Sequence, residues 1–245
     1  MSSAALGPRR ALVTGASGGI GEAIARRLAK DGAHVVVHAN RRLENAERIV
    51  AAIVADGGSA EAIAFDVTDR AAAAAACECL LAGGPVQIVV NNAGVHDDAA
   101  FPALREAQWS RVIDVSLNGF FNVTQPLVMP MIRTRWGRIV NLSSVAAITG
   151  NRGQVNYAAA KGALNSATKA LALELANRGI SVNAVAPGLI AAGMAEGFDP
   201  AIVDKLVPMK RAGRADEVAA LVAFLCSDEA GYISGQVISI NGAMV

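Results

Sequence analysis

Aromatic side chains are scarce: two tyrosines, two tryptophans and six phenylalanines supply 4% of the 245-residue chain. Charge is balanced as well as sparse, with 22 Lys and Arg against 21 Asp and Glu for a net charge of +1. With neither a basic stripe nor an aromatic platform, nucleic-acid binding has no support, and nothing draws the chain to an anionic membrane. Any anion site must be local. The three cysteines, Cys77, Cys79 and Cys226, are odd in number and lack C-x-x-C spacing, which excludes a disulfide framework and fits a reducing compartment. His34, His38 and His96 form no ligand cluster, so no metal site is expected. No window carries the long apolar run of a membrane span, and the segment before the first strand is too short for a signal peptide's apolar core. A cytoplasmic location is the expectation.

What the chain has is apolar bulk. Hydrophobic residues make up 53% and charged ones 18%, and a chain of this length can bury an ample core. Strand-like runs alternate with helical patterns from end to end, without repeats, low-complexity tracts or linkers. Such alternation predicts a single α/β domain with a doubly wound parallel sheet.

The first strand, Arg10 to Val13, ends in Thr14-Gly15-Ala16-Ser17-Gly18-Gly19-Ile20-Gly21, and a helical pattern follows from Glu22 to Asp31. Strand, glycine turn and helix set bare backbone N–H groups and a helix N-terminus against a phosphate, although a plain tight turn uses the same residues. After the second strand, His34 to His38, comes Ala39-Asn40-Arg41-Arg42. An acid there suits a free ribose 2′-hydroxyl, whereas arginines suit a 2′-phosphate, so NADPH is favoured over NADH. The arginines also precede the helix Leu43 to Asp56, where cations oppose the dipole and call for a nearby anion.

The third strand, Ala60 to Phe65, leads into Asp66-Val67, and Asp69 is better placed than Asp66 to cap the alanine run that follows. The fourth, Val86 to Val90, is apolar throughout, as a parallel strand buried on both faces is. It gives way to Asn91-Asn92-Ala93-Gly94, whose small residues let backbone pass close to a ligand or simply make a turn. A long helix lies within Gln108 to Arg133. The fifth and sixth strands are Gly137 to Leu142 and Ser181 to Ala186; between them a helix runs through Tyr157 to Arg178 and stops at Gly179. A helix from Asp216 to Cys226 and a strand from Gln236 to Ile240 complete the pattern.

Tyr157 and Lys161, spaced i and i+4, share one helix face. Such a pair is common on helix surfaces, but a lysine ammonium beside a phenol also favours the phenolate and predicts a pKa below the reference value near 10. Ser144, beyond the fifth strand, is placed to hydrogen-bond a substrate oxygen. Ligands of open parallel sheets bind outside the carboxyl ends of the strands, where the glycine loop, Asp66, Asn91 and Ser144 all fall.

In this order the motifs resemble those of the short-chain dehydrogenase/reductase family across essentially the whole chain. The resemblance implies a doubly wound parallel seven-stranded sheet of Rossmann type in one domain, 1–245, and a catalytic set of Ser144, Tyr157 and Lys161. Ser116 stands where the family's catalytic-site asparagine usually does, and Ala192 replaces a threonine that contacts the cofactor. For NADPH the implied contacts are Gly15, Ser17, Gly19, Ile20 and Gly21 at the phosphates, and Asn40, Arg41 and Arg42 at the 2′-phosphate. Asp66 and Val67 stand at the adenine, Asn92, Ala93 and Gly94 run beside the cofactor, and Tyr157, Lys161, Pro187, Gly188 and Ile190 lie towards the nicotinamide half. The stretch Ala191 to Gly197 is the expected substrate lid.

Within the family, Gly150 to Lys161, Arg178 to Asn183 and Ser234-Gly235-Gln236 with Asn241-Gly242 look most like the β-ketoacyl-acyl-carrier-protein reductases. Arg135 and Arg178 fall where those enzymes dock the acidic carrier, although both also suit solvated or helix-terminal charges. The implied activity is NADPH-dependent reduction of a 3-oxoacyl thioester on acyl carrier protein, in fatty-acid or polyketide/polyene-type synthesis, by a homotetramer or a hetero-oligomer. Two alternatives stay open: a reductase of 3-oxoacyl-CoA or another small ketone, and a low-activity NADPH-binding partner subunit.

Overall fold

The computed structural model describes residues 6–192 and 199–245. Seven strands, β1 (Arg10–Val13), β2 (His34–Ala39), β3 (Ser59–Ala64), β4 (Ile88–Asn91), β5 (Gly137–Leu142), β6 (Ile180–Pro187) and β7 (Val237–Ile240), form one sheet. Their order is β3-β2-β1-β4-β5-β6-β7 and every pairing is parallel.

Side chains along a strand alternate between faces, and the two cores divide accordingly. Ala11, Val13, Val35, Val37, Ile88 and Val90 join the core under α1 (Gly19–Lys30), α2 (Leu43–Ala55) and α9 (Ala215–Cys226). Leu12, Val36, Val89, Ile139 and Val182 face the opposite way, against α3 (Arg70–Ala82), α5 (Gly119–Thr134) and α7 (Val155–Leu175). Burial on both faces explains why the central strands are apolar without polar alternation. Asp69 caps α3 as expected, accepting from the N–H groups of Ala71 (2.9 Å) and Ala72 (3.0 Å). A short 3-10 turn, Ala176–Arg178, ends α7, and Gly179 follows in the left-handed region at φ 75.

The helix expected within Gln108 to Arg133 is three segments. They are α4 (Glu106–Ile113), a π-helical turn at Asp114–Asn118, and α5, which carries Pro126 and Pro130. A π turn inserts one extra residue per turn, so the face presented by Ser116 differs from that of a continuous α-helix. Two short helices were not evident in the pattern: α6 (Ala146–Thr149), directly after Ser144, and α8 (Pro200–Leu206). Each is too short for its periodicity to stand out. Of the expected lid, 193–197 lie outside the described residues.

Candidate active site

The glycine loop folds back on its neighbours. Gly15 and Gly19 take φ of 62 and 57, and a Cβ on Gly21 would strike the carbonyl of Gly15. Thr14 Oγ1 accepts from the N–H groups of Asn92 and Ala93, each at 3.0 Å, and the Asn92 amide donates to the carbonyls of Thr14 (2.9 Å) and Gly15 (3.0 Å). The loops after β1 and β4 are thereby fused. Asn92 acts through its side chain on the loop, while Ala93 and Gly94 offer close backbone.

In the turn after β3, where the adenine is expected, Asp66 Oδ1 accepts from the N–H (2.9 Å) and hydroxyl (2.7 Å) of Thr68, and these bonds hold its carboxyl below the usual range. Asn122 donates to the Val67 carbonyl at 2.9 Å, fixing that turn to α5. Asn40, Arg41 and Arg42 are exposed, and neither arginine forms a salt bridge among the described residues. The pair is free to meet an anion.

Asn91 does not face the cofactor side. Its buried amide donates to Thr124 Oγ1 and Asn141 Oδ1, both at 2.9 Å, and Asn141 in turn donates to Thr168 Oγ1 at 2.8 Å. This polar ladder ties β4 and β5 to α5 and α7 beneath the site.

Ser144, Tyr157 and Lys161 meet at the carboxyl rim, as expected. Lys161 is buried; its Nζ lies 5.7 Å from the centre of the Tyr157 ring and donates to the Leu142 carbonyl at 2.6 Å. A Cβ on Gly94 would stand 3.2 Å from that nitrogen. Asn156, fully buried, accepts from the Tyr157 N–H at 2.8 Å and donates to the carbonyls of Asp97 (3.0 Å) and Gln108 (3.2 Å). The start of α7 is thus pinned to the loop after β4.

One electrostatic expectation is corrected. Tyr157 is pushed up from 10.0: burial leads, the Asp98 carboxylate adds to it, and only the Ser144 hydroxyl opposes. Burial also pulls Lys161 down from 10.5 to about 8. Burial is the leading cause of both shifts, since removing either group from water disfavours its charged form.

Ser116 is buried on the π turn, and its Oγ has no hydrogen-bond partner among the described residues. Pro187 ends β6 and Gly188 follows it; the Pro187 carbonyl accepts from Val145 N–H at 2.8 Å, and Gly188 N–H donates to the Ile240 carbonyl at 3.0 Å. The Ile190 side chain is buried against Gly213, which leaves its backbone as the part open to a ligand.

Arg135 lies against the segment that carries Arg178, at the far end of α7 from Tyr157. Arg135, left-handed at φ 52, donates from Nη2 to the Asn177 carbonyl at 3.0 Å, next to the starts of β5 and β6. The length of α7 separates them from Tyr157 by about 30 Å at 1.5 Å per residue.

A dinucleotide fits these residues: a side-chain-free cradle at Gly94 adjoins Lys161, a glycine loop opens onto the N-terminus of α1, and the arginines after β2 have no salt-bridge partner among the described residues. Sequence reasoning missed the structural work of Thr14 and Asn156. The available signal was a polar residue inside or at the end of an otherwise apolar run.

The model of the short chain dehydrogenase family matches residues 9–202. A 3-oxoacyl-[acyl-carrier-protein] reductase FabG of Aggregatibacter actinomycetemcomitans is 47% identical over 238 residues, covering 95% of this chain and 98% of the relative. Nodulation protein G of Azospirillum brasilense is 44% identical, covering 96% and 97%. A FabG of Staphylococcus aureus is 42% identical over 240 residues, covering 96% and 98%. With its parallel seven-stranded sheet and its Ser144, Tyr157 and Lys161 gathered at one rim, the chain belongs to the short-chain dehydrogenase/reductase family.

Proposed function

We propose that this protein reduces the 3-keto group of an acyl thioester carried on acyl carrier protein to the 3-hydroxyl, with NADPH as reductant. The observation that carries the reading is the meeting of Ser144, Tyr157 and buried Lys161 beside the open backbone of Gly94. The similarity to the FabG proteins supports the thioester substrate. NADPH supplies the hydride that adds to the keto carbon.

The remaining work belongs to the chain. Ser144 donates a hydrogen bond to the keto oxygen and polarises it. The Tyr157 hydroxyl gives that oxygen its proton, and its raised pKa keeps the phenol protonated through neutral pH, which suits the reductive direction. Lys161 holds the nicotinamide ribose and replenishes the proton; at about 8, its own proton is available near neutrality. Arg41 and Arg42 bind the 2′-phosphate. The glycine loop, with Ser17 and Ile20, binds the pyrophosphate at the start of α1.

Arg135 and Arg178 form the carrier-docking patch. Because the patch stands a helix length from Tyr157 of its own chain, a carrier seated there serves the site of a second copy in the homotetramer we infer. We place the enzyme in the cytoplasm, as a single domain.

The unpartnered Ser116 hydroxyl favours a second reading, a low-activity NADPH-binding partner subunit. NADPH consumption by the pure protein separates the two. The test uses a 3-oxoacyl thioester on acyl carrier protein, the same acyl group on CoA, and Tyr157→Phe. Turnover on the carrier, reduced by about two to four orders of magnitude in Tyr157→Phe, supports the reductase. NADPH binding without turnover on either thioester supports the partner subunit.

A further inference from the structure

His38 is a fully buried polar residue at the penultimate position of an apolar strand, and it joins two other chain segments. Its Nδ1 lies 3.0 Å from the Gly15 amide nitrogen, which can only donate, so Nδ1 is the acceptor. Its Nε2 lies 2.9 Å from the Phe65 carbonyl, which can only accept, so Nε2 carries the hydrogen. The two bonds together demand the neutral Nε2–H tautomer. The backbone carbonyl of His38 also accepts from the Ala16 N–H at 2.9 Å, and its ring packs on that of Phe65 with centroids 4.2 Å apart.

These partners are not arbitrary. Gly15 and Ala16 form the first turn of the phosphate loop, and Phe65 immediately precedes Asp66 and Val67 on the adenine side. No other side chain among the described residues hydrogen-bonds both segments. A dinucleotide bridges the same two segments from outside, and preset spacing between them lowers the entropy lost on binding.

We propose that His38 is a positioning residue for the cofactor, its imidazole joining the phosphate loop to the Phe65–Val67 turn so that both halves of the site are held ready in one geometry. The inference rests on the NADPH reading above. It concerns affinity for the dinucleotide and not the chemical step, since His38 reaches neither Tyr157 nor Lys161.

The test measures NADPH binding to the substrate-free protein by the fluorescence of the reduced nicotinamide, in native protein, His38→Leu, His38→Asn and His38→Gln. Leucine fills the space without polar atoms; asparagine keeps an acceptor near the Nδ1 position, and glutamine keeps a donor near the Nε2 position. His38→Leu is expected to weaken NADPH binding by about tenfold or more, the loss of roughly one to two buried hydrogen bonds. The two amide variants each recover part of that loss. Turnover at saturating NADPH and the KM for the keto substrate change little, which a general loss of folding would not produce.

NADPH affinity in His38→Leu within about twofold of native would overturn the role of His38 while leaving the cofactor reading intact. Equal losses in NADPH affinity, keto-substrate KM and turnover would overturn it too, as general damage. Failure of the native protein to bind NADPH would instead defeat the cofactor reading. Nitrogen-15 NMR of the native protein gives an answer that needs no variant to fold: a neutral His38 with its hydrogen on Nε2 near pH 6 is expected, and the other tautomer or an imidazolium would sink the proposal.

Discussion

Lys161 holds its ammonium 5.7 Å from the centre of the Tyr157 ring, yet its one hydrogen bond among the described residues goes to the carbonyl of Leu142. A cation in that position is fully buried with a single neutral acceptor, and its stability cost follows from its depressed pKa.

Lys161→Met should therefore leave the substrate-free protein more stable than the native one at neutral pH, by about 1–3 kcal/mol, while nearly abolishing turnover. The sign is set by the proton. The folded pKa of about 8 lies below the unfolded 10.5, so the penalty is complete below pH 8 and fades as pH rises towards 10.5. Denaturant unfolding of both proteins at pH 7 and pH 9.5 checks this; the gap should narrow at the higher pH.

His38 gives the acid side of the stability profile. Burial holds its pKa down at about 4, against a Phe65 hydrogen bond and an Asp66 carboxylate that raise it, from an unfolded value of 6.5. Between those values the unfolded chain binds the proton and the folded chain does not, so stability falls as pH drops from 6.5 to 4. The contribution is roughly 3 kcal/mol when complete, and it should be missing from the difference between pH 7 and pH 4 in His38→Asn. Urea midpoints at the two pH values provide the measurement.

Gly21→Ala is expected to destroy the phosphate loop. The new Cβ would strike the Gly15 carbonyl and stand 2.5 Å from the Asn92 amide nitrogen that fastens that loop. Overpacking of this kind costs about 1–3 kcal/mol, and NADPH binding should be lost before the fold is. Thermal melting run beside a binding titration separates the two effects.

The Ser116 hydroxyl is buried without a partner among the described residues, a situation that disfavours the folded state. Ser116→Ala should raise stability by up to about 1 kcal/mol. If the residue serves through its backbone, steady-state turnover stays within about threefold of native; a loss of about a hundredfold would make the hydroxyl a catalytic group.

Much of this protein was decided by its sequence alone. Apolar runs without polar alternation called for parallel strands covered on both faces, and β1, β2 and β5 appear with nearly the bounds their composition predicts. The glycine loop and the i, i+4 spacing of Tyr157 and Lys161 were legible because they are local: a left-handed turn needs glycine, and a helix face follows from the rise per residue. Only tertiary structure could decide how those parts act on one another. Whether Lys161 lowers the Tyr157 pKa depends on how much water both lose, and burial reversed the expected direction. Asn91 stood in a motif at a strand end, but its amide turned inward to Thr124 and Asn141. Ser116 took its orientation from a π turn that no helical period announces. His38 read as one more strand residue until Gly15 and Phe65, 23 positions before it and 27 after, closed on its two nitrogens. Spacing along the chain determines which side chains share a face; desolvation and partners distant in sequence determine what those side chains do.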